Sequence, residues 1–487
     1  MAGISGTSSG SKGALELMLG RLHHRGPESK WIHLGKRVAL GCCVLPSEAH
    51  HSGRTHSQMA NTVVVIDGHL YSEDGVQLPE ADLLVSLYSR FGPRFVERLD
   101  GDFALCLATD SELIVARDSV GLRPLFYGFK DGALYFASEA KALCPVADDI
   151  KEFPPGYVYT SSEGFRRYTP QVDAVPGFDS PEQAAKVLAR LVEEAVQKRM
   201  ADNAVEGVLL SGGLDSSIIA CVAKECKPDI KAFTVSVEGG EDLPLARDMA
   251  RYLGIEHHVH MYTESDVIEV LSRVIYHLES FEEDNVHGAV ANFFASRLAA
   301  RHTKCVLTGE GADEFLGGYH EQLRRAKDEK EVARLIDKLI AVAYNTGLQR
   351  LDRMMAVHSL EFRTPFLDQR VTNFCLKVPT SWKVHGAERI GKWLLRRAFS
   401  ERLPKHIAWQ TKRPFASGAG SSKFMRALAL KQVSDEEFMA YQETEEGLRL
   451  HSAEELYYYR IFKENFAHPA LPHLVAKWDP FKHDFRS

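Results

Sequence analysis

The sequence predicts an α/β protein in two parts. An α+β sandwich of antiparallel sheets is expected over residues 1–170, and a parallel-sheet α/β domain with added helices over 183–487, joined by a linker at 171–182. Three observations predict this. The first 170 residues hold short apolar runs separated by turn residues, with few helical stretches. From residue 183, strand-like runs alternate with amphipathic helices, the pattern of a parallel sheet covered on both faces. Within that second part the apolar run Gly207-Val-Leu-Leu210 leads straight into Ser211-Gly-Gly-Leu-Asp-Ser-Ser217, with a helix expected from Ile218.

A chain of 487 residues exceeds what one core fills, so more than one domain is expected. Apolar residues at 45% and charged residues at 26% describe an ordinary globular composition. The formal charge of −7 gives no general attraction to nucleic acid or anionic membrane. Eight scattered cysteines show no zinc spacing and no disulfide framework. No signal peptide and no apolar run of membrane-span length is visible, so the expected location is the cytoplasm.

In chain order, the opening apolar residues up to Gly6 fit a strand, and Leu15 to Leu22 has helical spacing that ends in the turn His23-His-Arg-Gly-Pro27. Strands are expected at Val38–Gly41, Thr62–Ile66, Phe103–Ala108, Glu112–Ala116, Leu125–Tyr127 and Ala133–Phe136. The Pro- and Gly-containing stretch from Pro170 to Pro181 reads as the linker. Glu182 to Met200 carries apolar residues at helical spacing. Ile230–Val237, His257–His260 and Lys304–Thr308 read as further strands, and Leu243–Leu253 as a helix.

The Ser211 turn carries the first chemical signal. Adjacent glycines let the backbone approach a ligand, a helix start offers unpaired N–H groups, Ser211, Ser216 and Ser217 add hydroxyls, and Asp215 can hold a cation. That set suits a phosphate chain with its metal. An ordinary capped strand-to-helix turn would look the same in isolation. In open parallel sheets ligands bind beyond the C-terminal strand ends, where this turn falls. Gly309-Glu-Gly-Ala-Asp-Glu-Phe-Leu-Gly-Gly-Tyr319 reaches the same edge after the Lys304 strand, with Glu310, Asp313 and Glu314. His358–Asp368 brings Glu361, and the stretch from Gly391 to Gly420 brings Lys392, Lys412 and Arg413.

Blander readings compete. Arg396 and Arg397, taken alone, read as a solvated helix face. Tyr457-Tyr-Tyr-Arg460 reads as helix packing. The His257-His258-x-His260 cluster sends alternate side chains to opposite faces and makes a poor metal site. Gly386–Lys392 resembles a Walker loop but follows no strand and lacks the Ser/Thr after its lysine.

Together, however, Ser-Gly-Gly-Leu-Asp-Ser-Ser at 211–217, Gly-Glu-Gly-x-Asp-Glu-x-x-Gly-Gly-Tyr at 309–319, Ser-Leu-Glu-x-Arg-x-Pro-Phe-Leu-Asp at 359–368 and Lys-x-x-Leu-Arg-x-Ala-Phe at 392–399 resemble, in order and spacing, the synthetase half of asparagine synthetases. β-Lactam and carbapenam synthetases and lasso-peptide cyclases share that frame. Leu99–Ala104, Ala116–Tyr127, Phe136–Lys141 and Phe153–Gly156 are similar to the glutaminase half of the same family. The resemblance spans essentially the whole chain and implies an Ntn-hydrolase-like first domain and a PP-loop second one.

Members need a cysteine directly after the initiator methionine as nucleophile. Ala2 stands there, and Leu40-Gly-Cys-Cys-Val-Leu45 and Asp67-Gly68-His69 replace the family's glutamine-pocket patterns. The resemblance therefore implies a first domain that has lost glutamine hydrolysis; Cys42 and Cys43 lie in a strand interior, as small buried hydrophobes.

For the second domain it implies ATP-dependent activation of a carboxylate as acyl-AMP, with release of pyrophosphate, then attack by ammonia or an amine. Leu210, Ser211, Gly212, Gly213, Asp215, Ser216, Ser217, Val235, Gly309 and Lys392 would bind the nucleotide, and Asp215 and Asp313 would hold Mg²⁺. Lys412 would stabilise the charge that develops at phosphorus and then at carbon, with Glu310 and Glu361 as further catalytic positions. Glu314, Asn285 and His287 would meet the carboxylate substrate. Glu310 favours the asparagine-type reaction with ammonia. His287, standing where the family has an arginine, and the acidic run Glu282-Glu-Asp284 favour another acid. A lactam-forming ligase using its substrate's own amine and a catalytically degenerate nucleotide-binding regulator remain the alternatives. The partners implied are small molecules, with neither nucleic acid nor membrane, and a homodimer is compatible with the family.

Overall fold

The structure is a computed structural model that describes residues 2–45, 55–71, 78–410 and 418–477. The chain divides into two compact units: residues 1–172, 356–361 and 466–474 form one, and 173–355, 362–465 and 475–487 the other.

In the first unit two antiparallel sheets lie face to face among the described residues. One has the order β10 (Asp149–Glu152), β8 (Phe126–Lys130), β9 (Ala133–Ala137), β1 (Ala2–Thr7), β3 (Ala39–Val44), β2 (Ser29–Leu34). The other runs β12 (Gly164–Arg167), β11 (Tyr157–Thr160), β7 (Leu113–Arg117), β6 (Gly101–Ala108), β5 (Thr62–Leu70), β4 (His56–Met59). Strand alternation assigns the cores. Val63 and Val65 of β5 join Ile4, Leu40, Cys42 and Phe136 between the sheets. Val64 and Ile66 face the other way, onto Leu84 and Phe95 beneath helix α2 (Glu80–Phe91). Helix α1 (Lys12–Arg21) covers the first sheet at Gly41, where a Cβ would come within 2.7 Å of the Leu19 side chain. The result is a helix–sheet–sheet–helix sandwich, as the sequence predicts. Ser29–Leu34 was absent from the expected strands because its residues are half-buried to exposed and charged at Lys30, which hides the pattern of a sheet edge.

The second unit is built on a five-stranded sheet ordered β15 (Glu256–Met261), β14 (Lys231–Ser236), β13 (Gly207–Leu209), β16 (Cys305–Leu307), β17 (Glu361–Arg363). Strands β13, β14, β15 and β16 run parallel. Five helices accompany them: α3 (Pro181–Met200), α4 (Leu214–Cys226), α5 (Asp242–Leu253), α6 (Glu264–Leu278) and α7 (Glu283–Ala299). Helix α4 starts at Leu214, four residues earlier than expected, so Asp215, Ser216 and Ser217 lie in its first turn. Helix α7 is buried on nearly every side, which suits its apolar middle, Gly288-Ala-Val-Ala-Asn-Phe-Phe-Ala295.

Asp368 ties α3 to the chain beyond β17. Its carboxylate caps the following helix at the Arg370 N–H and accepts from Arg199 Nη1 at 2.8 Å and Lys198 Nζ at 2.5 Å. Burial works against this carboxylate, but the two cations outweigh burial and hold its pKa down, from 3.8 to about 2. Asp368→Asn should therefore cost about 3 kcal/mol at neutral pH by leaving Arg199 buried and uncompensated. Urea denaturation should show that deficit above pH 4 and see it shrink as the pH falls toward 2, where the wild-type carboxyl takes up its proton.

Candidate active site

At the C-terminal ends of β13, β14 and β16 lies an open cleft of about 1070 Å³. Ser211, Gly213, Asp215 and Ser216 line one part, Leu209, Leu210, Phe233, Val235 and Ala295 another, and Gly309, Glu310, Asp313, Lys392 and Arg396 a third. Sequence reasoning expected eight of these to bind nucleotide: Leu210, Ser211, Gly213, Asp215, Ser216, Val235, Gly309 and Lys392. All eight meet around this one cleft.

The Ser211 turn is held by its own hydroxyls. Ser216 Oγ accepts from the Ser211 N–H at 3.2 Å and lies 3.0 Å from Ser211 Oγ, which in turn accepts from the Gly213 N–H. Gly212 has φ of 76°, and a Cβ there would sit 2.4 Å from the Ala246 nitrogen of α5. The turn thus takes its shape from glycine at that point. Gly213 caps α4 without a side chain, leaving the first-turn N–H groups and the positive helix end open to an anion. Gly212 contributes its carbonyl, which accepts from Gln410 Nε2 at 2.7 Å, whereas Ser217 is buried inside the turn.

Asp215, in the first turn of α4, and Asp313, at the start of the short helix α8 (Ala312–Leu316), are joined by one cation. Lys392 Nζ lies 2.5 Å from Asp215 Oδ2 and 2.5 Å from Asp313 Oδ1, with Lys392 itself 1% exposed. Lys392 precedes helix α10 (Trp393–Phe399) in a left-handed conformation, φ 54°. A Cβ on Gly318 would fall 2.3 Å from Lys392 Cε and closer still to the Asp313 carboxylate, so the second glycine of the Gly317-Gly318 pair makes room for the bridge. The donor set fits the expected metal: two hard carboxylates converge beside a helix N-terminus. No group of three or more His, Cys, Asp or Glu side chains at metal-binding spacing occurs among the described residues, so such an ion would need the remaining ligands from phosphate and water.

Glu310 lines the cleft, takes its N–H to Thr308 Oγ1 and pairs with Arg350 Nη2 at 3.3 Å, from helix α9 (Gly347–Val357). Glu314 is buried beside it and accepts from the Tyr319 hydroxyl. Burial first, then the charges of Glu310 and Asp313, push the Glu314 carboxyl up to about 7. Glu361 is buried at the head of β17, outside the cleft lining. Lys412 and Arg413 lie outside the described residues. On α7, the Asn285 N–H bonds the capping carboxylate of Glu282 at 2.8 Å, and His287 Nε2 meets Glu454 Oε1 at 2.6 Å. Burial opposes a charged His287, yet the Glu454 hydrogen bond and the nearby Glu454, Asp284 and Glu283 charges outweigh it and raise its pKa. The acidic run is not simply solvated: Glu282 is buried.

Arg396, Gln410 and Asn292 are among the lining residues that escaped sequence reasoning. Arg396 is buried, not on a solvated face; its Nε and Nη1 donate to the Gly391 and Ala408 carbonyls. Its position four residues after Lys392, one helical turn, was the available signal. Gln410 carried none. For Asn292 the only signal was its place as the single amide in the apolar middle of α7, Gly288–Ala295. Arg397 does face solvent, paired with Glu182. In the histidine cluster, His257 bonds Thr234 Oγ1 and His258 stacks on Phe233 and His302.

In the first unit Ala2 is buried, its N–H bonded to Asp67 Oδ1 at 2.8 Å. Arg25 links the Ala2 carbonyl, Asp67 Oδ2 and Glu139, and Lys141 also pairs with Glu139, all of them buried. Gly68 adopts φ of 142°, and His69 pairs with Glu80 at 2.9 Å. Burial pushes the Cys42 thiol up to about 12 and that of Cys43 to about 11, the opposite of an activated nucleophile.

Two family models match the chain, one over each part. The family described as Asparagine synthase matches residues 187–345 and 335–473, and the Glutamine amidotransferase domain matches residues 1–159. The chain belongs to the asparagine synthetase family. It is 32% identical to asparagine synthetase (glutamine-hydrolyzing) 2 of Arabidopsis thaliana, over 85% of this chain and 78% of that protein. It is also 32% identical to asparagine synthetase (glutamine-hydrolyzing) of Triphysaria versicolor, over 92% and 82%. A solved allosteric regulatory enzyme of purine biosynthesis overlaps loosely, with a TM-score of 0.30 at 18% identity over 53% of this chain and 64% of that one. Among the described residues of this family member, no helix is long and apolar enough to cross a membrane.

The buried Glu314 gives the site a pH signature. Its raised pKa means that the folded protein holds this proton between pH 4.5 and about 7 while the unfolded chain releases it. Its contribution to stability therefore falls as pH rises across that window. Thermal unfolding of Glu314→Gln against wild type should show the variant gaining relative stability from pH 5 to 7, then levelling off.

Proposed function

We propose that this chain is an ATP-dependent, amide-forming ligase of the asparagine synthetase type. It activates a carboxylate as an acyl adenylate, releases pyrophosphate, and passes the acyl group to ammonia or an amine without a working glutaminase of its own. The observation that carries this reading is the convergence, in one cleft, of the Ser211 turn, the α4 N-terminus, the Asp215–Lys392–Asp313 bridge and buried Arg396.

Each part has a role that follows from its chemistry. The first-turn N–H groups of α4 and the hydroxyls of Ser211 and Ser216 receive phosphate oxygens. Lys392 and Arg396, both buried, supply positive charge where pyrophosphate leaves. A magnesium ion held by Asp215 and Asp313 would neutralise charge on the phosphates. Lys392 would then turn from the carboxylates toward the leaving group. Glu310, which lines the cleft and pairs with Arg350, would take the proton that an attacking amine must lose. Lys412 is assigned to the transferred centre on the sequence resemblance alone.

Pyrophosphate release with ATP, magnesium, ammonium and a series of carboxylic acids that includes aspartate tests the reading. Acid-dependent release is expected, and release with none of them would sink it. Lys412→Ala should abolish amide formation while ATP binding, followed by calorimetry, stays close to wild type.

The silent glutaminase is supported by Ala2 at the nucleophile position and by Asp67, whose carboxylate is taken up by Arg25 and the Ala2 N–H. Ala2→Cys should accordingly release no glutamate from glutamine above background; steady release would refute this part of the reading while leaving the ligase untouched.

A further inference from the structure

We infer that Asn292 reads the base of the bound nucleotide, its side-chain amide selecting a purine that carries an amino donor beside a ring-nitrogen acceptor. The inference rests on the nucleotide reading given above and adds the group that chooses among nucleotides.

Asn292 sits in the middle of α7 and is 5% exposed. Its Oδ1 is buried and has no hydrogen-bond partner among the described residues. Residue and cleft meet: Asn292 and Ala295, one helical turn apart on one face, line it together with Leu209, Phe233 and Val235 from the strand ends. This is the apolar part of the cleft, and the phosphate-binding turn forms another part of it. An apolar wall joined to an anion-binding turn suits a base joined to its phosphates.

A buried amide oxygen without a partner is costly to keep, and a leucine of nearly the same size would fill the site without that cost. Thr234, another polar group of the cleft lining, is already engaged. Thr234 Oγ1 donates to the Leu210 carbonyl and meets His257 Nε2 at 2.7 Å. Asn292 differs in that its oxygen still needs a donor. Adenine offers one on either of its edges: the 6-amino group donates, and the adjacent ring nitrogen accepts from the amide Nδ2. Rotation about the last side-chain torsion exchanges the amide oxygen and nitrogen, so the pair can form whichever edge is presented.

The test measures binding without turnover. Calorimetric titrations with magnesium and no carboxylic acid compare ATP with purine riboside 5′-triphosphate, which lacks only the 6-amino group. Wild type should prefer ATP by about tenfold or more. Asn292→Leu and Asn292→Ala should lose the preference and bind the two nucleotides within about twofold of each other. Thermal unfolding confirms that each variant is folded, and the alanine variant carries the test should the leucine one fail to fold. Equal binding of both nucleotides by wild type, or an undiminished preference in a folded variant, overturns the inference and leaves the ligase reading standing. Wild type that binds neither nucleotide overturns both.

Discussion

The second unit's chemistry is organised around one buried ammonium. Lys392 neutralises Asp215 in the first turn of α4 and Asp313 in the first turn of α8, and so holds three separate stretches of chain in register. Without it two carboxylates would face each other in a site with little water, where like charges repel strongly. The cost of that bridge is visible in the backbone. Lys392 takes a left-handed conformation that a side chain rarely adopts, and Gly318 forgoes a side chain altogether. Both departures are local, and both serve the same contact. The neighbouring pair of Glu310 with Arg350 repeats the theme at lower cost, because it is partly open to solvent.

What could be read ahead of the structure followed from how local each signal was. Runs such as Thr62–Ile66 and Ile230–Val237 announced strands because their burial is written in consecutive residues. Ser29–Leu34 and Tyr157–Thr160 did not, since edge and half-buried strands carry mixed patterns. The cleft residues emerged from four spaced motifs, yet their bonding did not. Lys392 looked like a phosphate ligand and lies between two carboxylates; Arg396 looked solvated and is buried beside it. His287 is the plainest case. Its partner Glu454 is 167 residues away in sequence, and no spacing rule could pair them.

Buried polar groups mark both units. In the second, two groups are held in costly states near the cleft: Glu314 resists ionisation, and an amide oxygen on α7 has no partner among the described residues. Sites that bind and transform ligands are where such tension is expected to collect. In the first unit, the charged groups around Ala2 pair with one another. Arg25 alone reaches a backbone carbonyl and two carboxylates.

That interlocking has a consequence for how the first unit can change over generations. Arg25, Asp67, Glu139 and Lys141 are each fully buried, and deleting any one strands a charge that its partners were neutralising, at about 3–5 kcal/mol. A stability margin of about 5–15 kcal/mol tolerates few such steps. Folding alone therefore filters single substitutions in this network, whatever the unit does or does not catalyse.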